Sequence, residues 1–129
     1  MLTAKDIMTR EVLTANPDAK LIEIIRTLVD NKVSGMPVCD SNTAVIGMIS
    51  ERDIMNFIFD GNVENTTVRE AMSTTIISFP PDTPIDRICL TMAEKMLRRV
   101  PIIENGKLVG IISRRSIIRT VLDIPRKKK

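Results

Sequence analysis

Histidine, tryptophan and tyrosine are absent from this 129-residue chain, and phenylalanine occurs only three times. Without histidine the chain lacks the side chain that most often acts as a general base near neutral pH and as a metal ligand. Without tryptophan or tyrosine, a planar ligand has no large amphipathic ring to stack on. The two cysteines, Cys39 and Cys89, make neither a disulfide framework nor a CxxC metal spacing, and both stand at apolar positions as small hydrophobes. No apolar run approaches the roughly 18 residues needed to span a bilayer, and the N-terminus lacks a basic-then-apolar leader pattern. A cytoplasmic protein with no membrane partner is expected. With no nucleophile–base pairing and no metal-ligand cluster, the sequence also weighs against an enzyme.

What is present is ordinary for one compact domain of about 100–150 residues: 43% hydrophobic residues, 27% charged, and eight methionines among a mostly aliphatic complement. The net charge of +3 is carried by the end of the chain, because Arg126, Lys127, Lys128 and Lys129 supply four positive charges. The remainder is close to neutral, so nucleic acid is disfavoured as a partner; a nucleic-acid-associated role would rest on this basic tail alone. The tail, residues 125–129, reads as a solvated end.

The chain is written twice. Residues 7–38 match residues 71–102 without a gap at an offset of 64: Met8 falls on Met72, Val12 on Ile76, Pro17 on Pro81, Asp18 on Asp82 and Pro37 on Pro101. After one deletion the offset becomes 63, and Gly47 falls on Gly110, Ser50 on Ser113, Arg52 on Arg115 and Ile54 on Ile117. The expected organisation is motif 1 over about 1–61 and motif 2 over about 66–124. A repeat of about 60 residues is marginal alone, so two are expected to share their burial.

Each repeat predicts a short strand, a helix, two strands and a closing helix, a mixed α/β fold in β-α-β-β-α order. Val12–Ala15 and Thr75–Phe79 are β-rich and end at prolines. Leu21, Ile24, Ile25 and Leu28 follow helical spacing, as do Ile85, Ile88, Cys89 and Met92. Asp18 and Asp82 are candidate helix-start residues, with Thr83-Pro84 an alternative. Met36–Cys39 and Ala44–Ser50 flank a polar turn, and Val100–Glu104 and Lys107–Ser113 flank Asn105-Gly106, a strong hairpin signal. Glu51–Phe59 and Arg114–Leu122 close the repeats as helices.

Two stretches point to chemistry: Gly47-Met48-Ile49-Ser50-Glu51-Arg52-Asp53 and Gly110-Ile111-Ile112-Ser113-Arg114-Arg115-Ser116. Each runs from an apolar strand through a serine into a helix start, where free N–H groups and the helix dipole favour an anion. A carboxylate three residues past the serine can accept from the two hydroxyls of a ribose, and Arg52, Arg114 and Arg115 can meet phosphate oxygens. The same Ser50-x-x-Asp53 spacing is also a capping box. Both readings stand at this level.

Taken together, the duplicated order strand–Pro–helix–apolar-x-Pro-apolar–turn–Gly-aliphatic-aliphatic-Ser–helix resembles a stand-alone pair of CBS (cystathionine β-synthase type) domains, or Bateman module, from about Leu2 to Leu122. The resemblance implies two motifs packed with pseudo-two-fold symmetry, no catalytic cofactor, and adenosine-containing regulatory ligands: AMP, ADP, ATP or S-adenosylmethionine. It implies one cleft with Ser50, Asp53 and Arg52 toward ribose and phosphate, and Ile77, Ser78, Arg99, Val100 and Pro101 around the base. It implies a second cleft with Thr14, Gly35, Met36, Pro37, Ser113, Arg115 and Ser116. Ser116 departs from the pattern, since a hydroxyl replaces the acid found at Asp53, so this second cleft is expected to bind ribose more weakly, bind a different ligand or stay empty. The resemblance also implies a homodimer formed through helices. Ile54, Met55, Phe57, Ile58 and Phe59, with Ile117, Ile118, Val121 and Leu122, are too many apolar residues for single buried stripes. A regulated effector protein is implied but not named. A structural dimerisation module with vestigial clefts is the alternative.

Overall fold

The computed structural model describes residues 2–123; the basic tail lies outside them. In chain order the elements are α1 (Ala4–Ile7), α2 (Leu21–Asn31), β1 (Gly35–Cys39), β2 (Val45–Ser50), α3 (Glu51–Phe59), α4 (Val68–Ala71), α5 (Ile85–Glu94), β3 (Arg99–Glu104), β4 (Lys107–Ser113) and α6 (Arg114–Asp123). The fold is mixed α/β, with two β-α-β-β-α-like repeats. The chain divides into two compact units. One is Val12–Ile76; the other joins the stretch up to Glu11 to the chain from Ile77 onward. Each unit therefore holds the body of one repeat and a short lead-in segment from the other.

In the Val12–Ile76 unit, α2 forms because Leu21, Ile24 and Leu28 recur at helical spacing and bury one face. Its last turn closes on Lys32 in the left-handed region (φ 54°), whose N–H reaches Leu28 and Val29 carbonyls. Those residues pack with Met36 and Val38 of β1, Ile49 of β2, Ile54 of α3, and Val68 and Ala71 of α4. The second unit repeats the plan with Ile88, Met92, Val100, Ile102 and Ile112, completed by Ala4 and Met8 from the lead-in. Each such large side chain contributes about 1.5–3 kcal/mol by leaving water.

Strands β1 and β2 pair antiparallel, with Pro37 opposite Met48; β3 and β4 pair likewise, with Pro101 opposite Ile111. Proline is tolerated there because both positions face away from the ladder bonds. The Pro37 carbonyl instead accepts from Ala15 N at 2.9 Å, and the Pro101 carbonyl from Phe79 N at 3.3 Å. The hairpin read at Asn105-Gly106 is present, both residues having positive φ (52° and 76°) as a tight two-residue turn requires. In the other hairpin Asp40 Oδ1 accepts from Asn42 N and Ala44 N, and Thr43 takes the positive φ of 62°.

Two expectations need correction. Val12–Ala15 and Thr75–Phe79 do not form strands of their own: each touches the sheet through one parallel bridge, Ala15 to Val38 and Phe79 to Ile102. The prolines that follow, Pro17 and Pro80-Pro81, turn the chain away before a second pair can form. The helix starts are Lys20 and Pro84 rather than Asp18, Asp82 or Thr83. The aspartates form exposed ion pairs with the lead-ins, Asp18 with Arg69 (3.2 Å) and Asp82 with Lys5 (2.9 Å). Buried Thr83 instead closes a turn by donating its hydroxyl to the Pro80 carbonyl at 2.8 Å. Among the described residues no helix is long and apolar enough to cross a membrane.

Candidate functional site

Strand β2 delivers Ser50 directly to the start of α3. Ser50 is extended (φ −135°, ψ 167°), and its N–H and hydroxyl both donate to Asp53 Oδ2, at 2.9 and 3.0 Å. The Asp53 N–H points back to Ser50 Oγ at 3.5 Å. The serine and aspartate thus form a reciprocal cap, as the spacing allowed. Only one carboxylate oxygen is used; Asp53 Oδ1 accepts no hydrogen bond among the described residues. Ser50 and Asp53 are half-buried, and Arg52 is exposed beside them.

The equivalent corner at the start of α6 is built differently. Ser113 Oγ and Ser116 Oγ lie 2.6 Å apart in a hydroxyl pair, and Ser116 N–H donates to Ser113 Oγ at 3.0 Å. Exposed Arg114 and Arg115 lie between the two serines in sequence. One corner therefore presents a free carboxylate oxygen. The other presents a pair of neutral hydroxyls.

The remaining expected residues divide by unit. Thr14 is exposed and Gly35, Met36 and Pro37 are buried in the unit that holds Ser50, Arg52 and Asp53; Gly35 stands opposite Ser50 in the sheet. Ser78 is exposed, Ile77 and Arg99 are half-buried, and Val100 and Pro101 are buried in the unit that holds Ser113, Arg115 and Ser116; Arg99 stands opposite Ser113. The structure thus brings together within each unit the residues at the ends of one hairpin. Each of the two sets implied by the resemblance draws on both units.

Two further Ser/Thr-x-x-acid boxes were not singled out from sequence, although the same spacing spells them. Asp6 Oδ2 accepts from Thr3 N (2.8 Å) and Thr3 Oγ1 (3.0 Å) at α1, and Glu70 Oε1 accepts from Thr67 N (3.3 Å) and Thr67 Oγ1 (3.0 Å) at α4. The Thr3 hydrogen bonds hold the Asp6 carboxyl below its usual range. A second unanticipated feature is an open, mostly apolar hollow of about 250 Å³ beside α5 and α6, whose lining includes Cys89, Met92, Met96, Leu97, Ile117 and Arg114. Burial pushes the Cys89 and Cys39 thiols up, and nearby Asp86 and Asp40 add to it. No group of three or more Cys, Asp or Glu that could hold a metal ion occurs among the described residues.

The CBS domain family model matches residues 4–60 and again residues 68–123. The chain belongs to the CBS domain family. Its two matches coincide with the two repeats, so the molecule is a CBS pair. The CBS domain-containing protein YhcV of Bacillus subtilis is 32% identical over 114 residues, covering 88% of this chain and 81% of YhcV. An uncharacterized protein of Methanocaldococcus jannaschii is 29% identical over 115 residues, covering 89% of this chain; the CBS pair spans only 41% of that relative. Among solved structures, CBSX2 in complex with AMP superposes with a TM-score of 0.89 at 26% identity, covering 98% of this chain and all of that one.

Proposed function

We propose that this CBS pair is a non-catalytic regulatory module that binds an adenine-type nucleotide, AMP, ADP, ATP or S-adenosylmethionine, and signals to a partner protein in the cytosol. The observation that carries the reading is the Ser50–Asp53 corner, where the cap is complete with one carboxylate oxygen and Oδ1 is left to accept from ribose hydroxyls. The AMP complex of the similar CBSX2 supports the ligand class. In this reading Arg52 meets phosphate, and Ile77, Ser78, Arg99, Val100 and Pro101 of the other motif surround the base. A second, weaker cleft takes Thr14, Gly35, Met36, Pro37, Ser113, Arg115 and Ser116. A nucleotide regulates by binding two states of the module with different affinity.

Isothermal titration with each of the four ligands tests this. Hydrogen bonds to a charged group contribute about 1.5–3 kcal/mol, so Asp53→Ala is expected to weaken binding at least tenfold. Ser116→Asp is expected to add a second binding event. Unchanged affinity in Asp53→Ala would leave Asp53 as a cap and nothing more.

A second reading, self-association, is favoured by a different observation. On α3, Met55 (54%), Ile58 (47%) and Phe59 (89%) stay exposed, as do Ile118 (63%), Val121 (44%) and Leu122 (80%) on α6. We propose that these faces pair in a homodimer. Light scattering at micromolar concentration is expected to give twice the chain mass; a monomeric mass would overturn it.

A further inference from the structure

We infer that Met72 and Gly47 form a latch that positions the Ser50–Asp53 corner, and that Met8 and Gly110 form its counterpart for Ser113–Ser116. The inference deepens the nucleotide reading and rests on it only for its effect on affinity. Beyond β1, the free edge of β2 is joined by a single residue: Met48 N–H donates to the Ser73 carbonyl at 2.9 Å, and Ser73 N–H to the Met48 carbonyl at 2.8 Å. Beside that bridge the lead-in lies directly on bare backbone. A Cβ added at Gly47 would come within 2.5 Å of Met72 Sδ and 2.9 Å of the Ser73 oxygen.

The latch sits beside an irregularity in the strand pair. The β1–β2 register shifts between Val38 and Cys39, and Val38 is the residue paired with Gly47. Past that irregularity the Ser73 bridge fixes the height of Met48, and two residues later the strand ends at Ser50, the cap of α3. The second unit has the same parts. The β3–β4 register shifts between Ile102 and Ile103, and Ile102 pairs with Gly110. Thr9 and Ile111 exchange hydrogen bonds of 2.9 and 3.0 Å, two residues before Ser113. A Cβ at Gly110 would come within 2.5 Å of Met8 Sδ and 2.7 Å of its Cγ. In both corners a lead-in from one repeat holds the serine of the other.

The chemistry differs at the two glycines. At Gly110 the three nearest atoms are Sδ, Cγ and Cβ of Met8; the thioether end can swing away, while Cβ at 3.1 Å is held by the Met8 backbone. At Gly47 one close atom is the backbone oxygen that accepts the bridge, so an added methyl must displace the bridge itself. Gly47 and Met72 are positioning residues: they act through Ser50 and Asp53 and meet no ligand in this scheme.

Amide exchange and chemical shifts on the full chain, with AMP titration alongside, test the latch. Gly47→Ala is expected to speed exchange at Ser50–Asp53 about tenfold more than at Ser113–Ser116, and to weaken AMP about fivefold or more. If that variant fails to fold, Met72→Ala is expected to give the same local signature, with Met72→Leu restoring it. Ile88→Val, a core change in the other unit, serves as the stability control; it should lower Tm without a local change at Ser50–Asp53. If Gly47→Ala and Met72→Ala perturb both corners equally, or lower Tm with no local change at Ser50–Asp53 as the core control does, the latch is wrong and both residues are simply structural. If the local signature is present but the wild-type protein gives no heat with AMP, the latch stands and AMP is not the ligand.

Discussion

A four-residue spacing recurs at three helix starts in this chain with one geometry: an extended Ser or Thr, and an acid three residues on that takes both its N–H and its hydroxyl. Ser50/Asp53, Thr3/Asp6 and Thr67/Glu70 all show it. Capping therefore accounts for the orientation of Asp53 without any ligand, and the spare Oδ1 is what separates a binding role from a purely structural one. Ser50→Ala is expected to lower stability by about 1 kcal/mol through the lost cap, read from a denaturant midpoint. At Asp6 the sign follows from the bonds. They favour the charged form in the folded state, so their contribution is complete above the ordinary carboxylate range and is lost as pH falls through the depressed value. The fall of Tm between about pH 5 and pH 3 is expected to be shallower in Asp6→Asn. Cys39 and Cys89, whose thiols are pushed up, are expected to be alkylated by iodoacetamide more slowly than free cysteine near neutral pH, with the rate climbing as the thiolate forms.

At the scale of elements, local chemistry decided most of what formed. Leu21, Ile24 and Leu28 mark α2, and Asn105-Gly106 marks its hairpin, because helical spacing and positive-φ turns are properties of a few neighbouring residues. Gly106→Val is expected to cost about 1–2 kcal/mol, since a β-branched residue is strained at φ 76°; the midpoint of urea unfolding checks it. The same local reasoning over-read Val12–Ala15 and Thr75–Phe79. Their β-rich composition was legible, but a strand needs a partner over several residues, and each segment meets its neighbour at one. The aspartates before α2 and α5 were misplaced for a related reason. Each stands two residues before its helix cap and pairs with a cation, Arg69 or Lys5, that lies far off in sequence.

At the scale of the molecule, the repeat in the sequence and the unit in space are different objects. Ala4 and Met8 belong by sequence to the first repeat, yet they complete a core with Ile88, Met92, Val100, Ile102 and Ile112 of the second. Deleting residues 1–11 is accordingly expected to strip exchange protection from residues 85–112 while residues 21–54 keep most of theirs, as hydrogen exchange followed by mass spectrometry would show. Loss confined to residues near position 12 would contradict it.

The sequence by itself determined that the chain is a tandem repeat and that each repeat is α/β. Those conclusions follow from periodicity, turn residues and matched positions such as Gly47 with Gly110 and Met8 with Met72. Only the tertiary structure decided that Met72 lies on Gly47 and Met8 on Gly110, so that each lead-in serves the body of the other repeat. Identical motifs offer identical contacts, and no local pattern says which copy of a lead-in fills which copy of a groove. Chain connectivity and the packing of whole cores settle that choice.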